Sequence, residues 1–181
     1  MSIGTRLSIS VWLIALGLAA CDSGGSQEPA ASPELPTSAG AAPAADAAAL
    51  LAALGLAPDA DGRIENECGE RVAPRFAPAE LGGAVGTARL VAIDGGPHAP
   101  TCYGDGPDLH LLRHDGAAWR EIYAARGRML IVLPTATGGV RDLADGGPGF
   151  SFPVWTWDGS AYAPAGRSVA DAELGDARFL P

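Results

Sequence analysis

Residues 108–123 read DLHLLRHDGAAWREIY, and residues 150–163 read FSFPVWTWDGSAYA. In both segments, apolar and polar residues alternate on either side of an Asp-Gly pair. Alternation with period two is typical of a strand with one buried face, and Asp-Gly favours the two-residue turn of a β-hairpin. The sequence therefore predicts two similar hairpins, which turn at Asp115-Gly116 and at Asp158-Gly159.

The aromatic residues of the second hairpin define a candidate binding face. With a two-residue turn, Trp157 lies opposite Ser160 and Trp155 lies opposite Tyr162. The rings of Trp155, Trp157 and Tyr162 then share one face of the sheet. Such rings most often pack in a core, since each buries about 150–250 Å². The alternative is an exposed platform that stacks on sugar rings or holds a loop of a partner protein.

The first hairpin has a register of its own. A two-residue turn would place His110 opposite Glu121 and Leu112 opposite Trp119. On a strand, residues four apart are about 13 Å from each other, so His110 and His114 would be too distant to share one metal ion.

Further segments complete the predicted domain. Strands are expected over 88–94 and over 128–133, and Pro134 would end the second of these. Asp46 can cap a short helix over 47–54. We therefore expect a mainly β fold, a small antiparallel sheet or barrel of hairpins with one short N-terminal helix.

The composition limits the classes of function. The chain has 181 residues, 48% of them apolar, and a mean hydropathy of +0.14. This suits one domain and is too apolar for a wholly disordered chain. The formal charge of −9 argues against nucleic acid as a partner, because phosphates repel an acidic surface. All 12 basic residues are arginine, which excludes chemistry that needs a lysine.

Residues 1–20 have the pattern of an export signal. Arg6 precedes an apolar run over 7–20, which as a helix would reach only about 21 Å, too short for a bilayer core. The run ends Leu18-Ala19-Ala20-Cys21, which resembles the lipobox of bacterial lipoproteins. The resemblance implies cleavage before Cys21 and a diacylglyceryl thioether on its sulfur, usually with an acylated amine. Two or more acyl chains hold a protein stably on a bilayer. The alternative is an ordinary cleaved signal peptide.

Residues 21–45 are expected to form a disordered tether on this anchor. Leu35 is the only large apolar side chain between Cys21 and position 46, so the segment cannot offset the entropy of ordering it. Its root-mean-square span would be about 27 Å. The β-rich domain would then cover residues 46–167, and residues 168–181 would form a C-terminal tail that either docks or frays.

The two remaining cysteines, Cys68 and Cys102, are expected to form a disulfide. The export signal places them in an oxidising compartment, where an even pair usually closes. The bridge would stabilise the domain by about 3–4 kcal/mol on the chain-entropy argument. Zinc held by both cysteines and two histidines is the competing interpretation, but the sequence lacks a C-x₂-C knuckle.

Two other motifs resemble functional sites but lack residues that those sites require. Asp59-Ala60-Asp61-Gly62 is similar to the middle of a calcium loop, but Ala57 and Cys68 stand where ligands are needed, so a polar turn is favoured. Ser151 lies in a Gly-Phe-Ser-Phe-Pro run, where a nucleophile elbow would have a second glycine after the serine. We therefore expect no enzyme, no catalytic residue, no metal and no cofactor.

The C-terminal part carries one further resemblance. Its Gly-Pro-Gly-Phe run, the Pro-Val-Trp-x-Trp-x-Gly-x-x-Tyr pattern ending at Tyr162 and the Cys102-Tyr103-Gly104 element are similar to those of small exported bacterial domains of unknown function. The resemblance spans roughly residues 60–165 and implies a β-rich domain without a known activity.

These observations lead to one functional hypothesis and its alternatives. The first is a lipid-anchored cell-envelope module that binds or scaffolds, on the inner or the outer membrane and facing the periplasm or the exterior, with an unknown envelope protein as partner. The second is a binder of saccharides or peptidoglycan fragments through Trp155, Trp157 and Tyr162. An inhibitor of a secreted hydrolase is the third, and an enzyme the last.

Overall fold

The computed structural model describes residues 44–98, 101, 103–104, 106–146 and 151–181. Over these residues a helix, α1 (Ala44–Ala53), precedes eleven strands, and Gly96–His98 and Asp171–Glu173 form 3₁₀ turns. The strands are β1 (Ile64–Glu65), β2 (Arg71–Val72), β3 (Arg75–Gly82), β4 (Gly86–Ile93), β5 (Asp108–His114), β6 (Trp119–Arg126), β7 (Met129–Thr137), β8 (Val140–Gly146), β9 (Ser151–Trp157), β10 (Tyr162–Ala170) and β11 (Arg178–Leu180).

The strands pair into two antiparallel sheets and a short ribbon. One sheet has four strands in the order β3-β4-β5-β6, and the other has five in the order β10-β9-β8-β7-β11. The ribbon is the pair β1-β2. The prediction of a mainly β, antiparallel fold with a short N-terminal helix is confirmed.

Alternation along the strands builds a core that the two sheets share. On β4, Leu90 and Ala92 point into this core, while Val91 and Ile93 belong to a separate cluster on the other face. On β7, Leu130 enters the shared core and Ile131 packs on the opposite face. Both sheets are therefore apolar on both faces, unlike an antiparallel sheet with one solvated face.

The two outer faces are covered by different elements. Over the four-stranded sheet, Leu50 and Leu51 of α1 pack together with the β1-β2 ribbon. Over the five-stranded sheet, Leu174, which follows the second 3₁₀ turn, packs on Phe152 and Val169. Each cover buries the outward apolar residues that the strand pattern produces.

The two Asp-Gly hairpins share a four-residue loop, which corrects the predicted two-residue turn. Asp158 Oδ1 accepts hydrogen bonds from the amides of Ser160 and Ala161 at 2.8 and 2.9 Å. Asp115 Oδ1 does the same for the second and third residues after it. The aspartate therefore organises the loop through its side chain, which favours a longer loop than the type I′ turn.

The longer loop changes the register of the second hairpin by two residues. Tyr162 lies opposite Trp157, and Pro164 lies opposite Trp155, so the predicted pairs with Ser160 and Tyr162 are wrong. Because side chains alternate with period two, a shift of two residues keeps every side chain on its face. The predicted shared face of Trp155, Trp157 and Tyr162 is therefore present.

The first hairpin shows the same shift together with a bulge. Leu112 lies opposite Glu121, and His110 lies opposite Ala124, so both predicted pairs are wrong. The bulge between Leu111 and Leu112 nevertheless brings His110 Nδ1 to 2.6 Å from Glu121 Oε1.

Several boundaries differ from the prediction. The helix begins at Ala44, so Asp46 lies in its first turn and does not cap it. Strand β7 continues through Pro134, because a bulge between Val132 and Ala136 accommodates the proline. The last residues form no frayed tail, since Leu180 is buried and β11 pairs with β7.

Candidate functional site

The candidate site is a pocket of about 190 Å³ beside the C-terminal end of α1. We call it the α1 pocket. Four apolar side chains line it: Leu54 and Leu56, which follow α1, Ile64 of β1 and Ile93 of β4. Its polar lining residues are Glu65, Asn66, Glu67, Tyr103, Asp108 and His110. Mixed linings of this kind are typical of small-molecule sites.

Asn66 fixes the turn that carries two of the pocket's acids. Its Oδ1 accepts hydrogen bonds from the amides of Cys68 and Glu70 at 3.0 and 2.9 Å, and its Nδ2 donates to the carbonyl of Asp94. The side chain is buried and its hydrogen bonds hold the β1-β2 turn against the sheet. The backbone on which Glu65 and Glu67 stand is therefore held in place.

Arg126 of β6 holds the polar rim together. Its Nε lies 2.9 Å from Asp108 Oδ1, and one of its terminal nitrogens lies 2.5 Å from Glu67 Oε1. Its guanidinium carbon is also 4.6 Å from the centre of the Tyr103 ring, which is the geometry of a cation–π contact. The rim thus binds a planar cation through two carboxylates and an aromatic face.

Tyr103 is buried behind this guanidinium. Burial, together with the neighbouring carboxylate of Asp108, with which it hydrogen-bonds, raises the pKa of the Tyr103 hydroxyl to about 12. The hydroxyl therefore stays protonated at neutral pH and acts as a hydrogen-bond donor to Asp108.

The charges of the rim do not balance. Glu65, Glu67 and Asp108 line the pocket, and Glu121 adds a fourth carboxylate through its 2.6 Å contact with His110. One guanidinium and one imidazole stand against these four groups. Within the described residues, the carboxylate of Glu65 makes no hydrogen bond or ion pair and is exposed. The potential in the pocket is therefore negative.

The aromatic face predicted from the sequence lies mostly in the core. Trp157 and Tyr162 are only 8% and 7% exposed, and their rings meet edge to face with centroids 5.6 Å apart. The Tyr162 hydroxyl donates to the carbonyl of Arg141 at 2.7 Å, and burial raises its pKa. These two rings follow the core-packing alternative and offer no open stacking surface.

Trp155 is placed differently from the other two. It is half-buried and lines an open groove of about 350 Å³ at the point where the β9-β10 ladder is interrupted between Pro164 and Ser168. Its Nε1 donates to Asp145 Oδ2 at 2.7 Å. Burial raises the pKa of the Asp145 carboxyl, and the bond from Trp155 partly opposes this rise.

The cysteines are only partly within the described residues. Cys68 is disulfide-bonded. Cys102, its expected partner, and Cys21, the expected lipidation site, lie outside the described residues, as do the predicted export signal and most of the tether.

The remaining candidate residues have simple structural settings. Asp59 Oδ1 accepts hydrogen bonds from the amides of Asp61 and Arg63, so the calcium-like run forms a polar turn, as predicted from the sequence. Ser151 lies exposed on β9. Among the residues described, no group of three or more His, Cys, Asp or Glu could hold a metal ion.

Sequence reasoning did not single out the α1 pocket as a site. Of the rim residues, His110 and Glu121 are predicted from the sequence only as a cross-strand pair, and Tyr103 only as part of a resemblance. Arg126 reaches Asp108 and Glu67 from 18 and 59 positions away, and no local pattern signals such contacts.

Comparisons with known proteins return no match. No family model matches the chain, and neither do the curated proteins or the solved structures. Within the described part of the chain, no helix is both long enough and apolar enough to span a bilayer.

Proposed function

We propose that the protein is a lipid-anchored module of the bacterial cell envelope that acts by binding rather than by catalysis. The observation that carries the proposal is Cys21 at the end of the Leu-Ala-Ala-Cys run, directly after an apolar segment of export type. Acylation there would hold the protein on a bilayer.

The position of the folded part supports this arrangement. Helix α1 begins at Ala44, which leaves 22 residues, 22–43, between the anchor and the fold. The composition of this stretch is that of a flexible linker, with a span of about 26 Å for such a length. A domain tethered in this way could reach ligands or partners close to the membrane surface.

The α1 pocket supports a binding role. It combines apolar side chains with a polar rim in which Arg126 holds the carboxylates of Asp108 and Glu67, while Asn66 holds the backbone of the β1-β2 turn. Preorganised polar groups beside apolar surface are what a small-ligand site requires.

Lipid labelling tests the anchor. Cells that express the full-length chain are grown with an alkyne analogue of palmitate, and the wild type is compared with Cys21→Ser and with the control Ser23→Ala. We expect label and detergent-dependent extraction for the wild type and the control, and neither for Cys21→Ser. Mass spectrometry that finds an uncut amino terminus, or an unmodified sulfur at Cys21, would overturn the proposal.

Recognition of a saccharide is a second candidate, which one observation favours. Trp155, Pro153 and Pro164 line the open groove at the interrupted ladder, and a half-buried indole between prolines can stack on a sugar ring. Trp155→Phe keeps a ring there but removes the emission of this one indole, while the other tryptophans of the chain still emit. Glycan fragments should therefore change the fluorescence of the wild type and not that of the variant; an equal change in both proteins would exclude the groove.

A further inference from the structure

The α1 pocket joins an aliphatic surface to a charged rim. Its wall is made of aliphatic side chains, including Leu54 and Leu56, which are only partly covered by the rest of the fold. Its rim already holds one cation of the chain, the guanidinium of Arg126, between Glu67 and Asp108. The chain itself therefore shows that a cation is stable at this rim.

One acid of the pocket remains free for a second cation. Glu65 lies beside the aliphatic wall, and over the described residues its carboxylate has no partner. Residue Arg71, which faces it across the β1-β2 ribbon, extends its guanidinium to Asp59 instead, at 2.8 Å. Arg63, two positions before Glu65, donates to the carbonyl of Arg71 at 3.0 Å, so neither neighbouring guanidinium pairs with the Glu65 carboxylate.

We propose that the α1 pocket binds the ammonium end of a short alkyl chain, with the alkyl part against Leu54 and Leu56 and the ammonium group at Glu65. This inference rests on the proposed binding role and names its ligand chemistry. A volume of about 190 Å³ holds a chain of about six heavy atoms, at roughly 30 Å³ for each group of the size of water.

The ligand chemistry has two possible sources, a free amine or the lysine side chain of a partner protein. A second copy of this chain is not a source, because all 12 of its basic residues are arginine. Both sources present the same group, an ammonium on a chain of four or five carbons, so the pocket would recognise them in the same way.

The test uses the full-length chain in a non-ionic detergent and follows backbone amide shifts by NMR. The probe is n-pentylamine, with n-pentanol as the neutral analogue and pentanoate as the anion. We expect saturable shifts in residues of the α1 pocket with a dissociation constant in the millimolar range, roughly what six heavy atoms can supply. Pentanol should bind at least about fivefold more weakly, and pentanoate should bind less than pentanol because the rim repels it.

Glu65→Gln is the decisive variant, since the residue is exposed and its substitution should leave the fold intact. We expect it to weaken pentylamine about fivefold and to leave pentanol unchanged, whereas the control Glu80→Gln, on β3 and outside the pocket, should change neither. Equal affinity for pentylamine and pentanol, shifts outside the pocket, or full affinity in Glu65→Gln would each overturn the inference.

A further titration separates the two sources, and the labelling experiment separates the two proposals. If Nα-acetyl-lysine amide binds as pentylamine does, the pocket accepts a lysine side chain; if only pentylamine binds, the inference holds for a free amine. Loss of amine binding in a protein that is correctly lipidated overturns the ligand chemistry alone, whereas an unlipidated protein that binds the amine overturns the anchor alone.

Discussion

Asp142 offers the sharpest test of what holds the five-stranded sheet together. The residue is only 2% exposed, yet its carboxylate is satisfied by three donors. Thr135 Oγ1 lies 2.7 Å from Oδ2, Thr137 Oγ1 lies 2.8 Å from Oδ1, and Arg167 approaches Oδ2 at 3.3 Å. These donors come from the bulged part of β7 and from β10, so one carboxylate joins two irregular strands.

Removal of the two threonine hydroxyls should leave the buried charge almost unpaired. In the double variant Thr135→Val/Thr137→Val, Asp142 would keep only the long contact with the half-exposed Arg167. A hydrogen bond to a charged group contributes about 1.5–3 kcal/mol, and breaking a buried ionic cluster costs about 3–5 kcal/mol. We therefore expect a loss of about 3–5 kcal/mol, a large part of the about 5–15 kcal/mol of a typical domain.

Urea unfolding under non-reducing conditions measures this loss, and two further variants control for it. Thr87→Val also removes a threonine hydroxyl from a carboxylate, that of Glu80 at 2.7 Å, but this acid is exposed and can be hydrated instead. We expect little change there. Adding Asp142→Leu to the double variant should recover most of the lost stability, because the uncompensated charge is gone. A loss below about 1 kcal/mol in the double variant, or no recovery in the triple variant, would refute the reasoning.

Three other predictions follow from single features. The amides of Ala161 and Ser160 lower the pKa of Asp158. Its contribution to stability is therefore present above the ordinary pKa of an aspartate and is lost as the pH falls through the lowered value. Asp158→Asn should reduce the fall in melting temperature between pH 7 and pH 2.5, and an unchanged fall would contradict this. Leu50→Ala should cost about 2–5 kcal/mol in urea unfolding because Leu50 of α1 is fully buried against the outer face of the four-stranded sheet, and a cost below about 1 kcal/mol would show that the helix is not a necessary cover. Reduction of the Cys68 disulfide should lower stability, by about 3–4 kcal/mol for the predicted bridge to Cys102, and equal melting curves with and without reductant would exclude a stabilising role.

The hairpins show how far a local pattern can predict this fold. Alternation identified the strands and their faces, because face depends only on the parity of position. The exact register depends on the length of the loop. In both loops the aspartate side chain accepts hydrogen bonds from two amides, which makes the loop four residues long, and the Asp-Gly pair alone does not predict these bonds. An error of two residues in the register therefore leaves the predicted faces correct and makes the predicted cross-strand pairs wrong.

The missed strands have a different cause. β3 contains Pro78 and Gly82 with an alanine, a glutamate and a single leucine between them, and β8 contains Asp142 and Asp145 among its apolar residues. Neither composition favours a strand by itself, so both strands form because a neighbour pairs with them and a core receives their apolar side chains. Tertiary context of this kind lies outside what a single-sequence pattern reports.

The same argument explains why the aromatic face was visible in the sequence and the α1 pocket was not. Trp155, Trp157 and Tyr162 lie within eight positions, so their common face follows from one hairpin. The α1 pocket is lined by the residues that follow α1, by β1 and the turn after it, by the end of β4, and by Tyr103 and β5, while Arg126 of β6 contacts its rim. The pocket therefore forms only when the covering elements pack on the outer face of the four-stranded sheet.

That covering also determines where a partner can bind. Since Val91 and Ile93 on one sheet and Ile131 and Leu133 on the other are buried by covers, neither outer face offers a flat apolar surface. Among the described residues, apolar surface remains at Leu54 and Leu56, where a cover ends, at Trp155, where a ladder is interrupted, and at Phe179 of β11, which is 54% exposed. Recognition by this fold is therefore expected at small concave sites beside charged groups, which select ligands by charge and length more than by area.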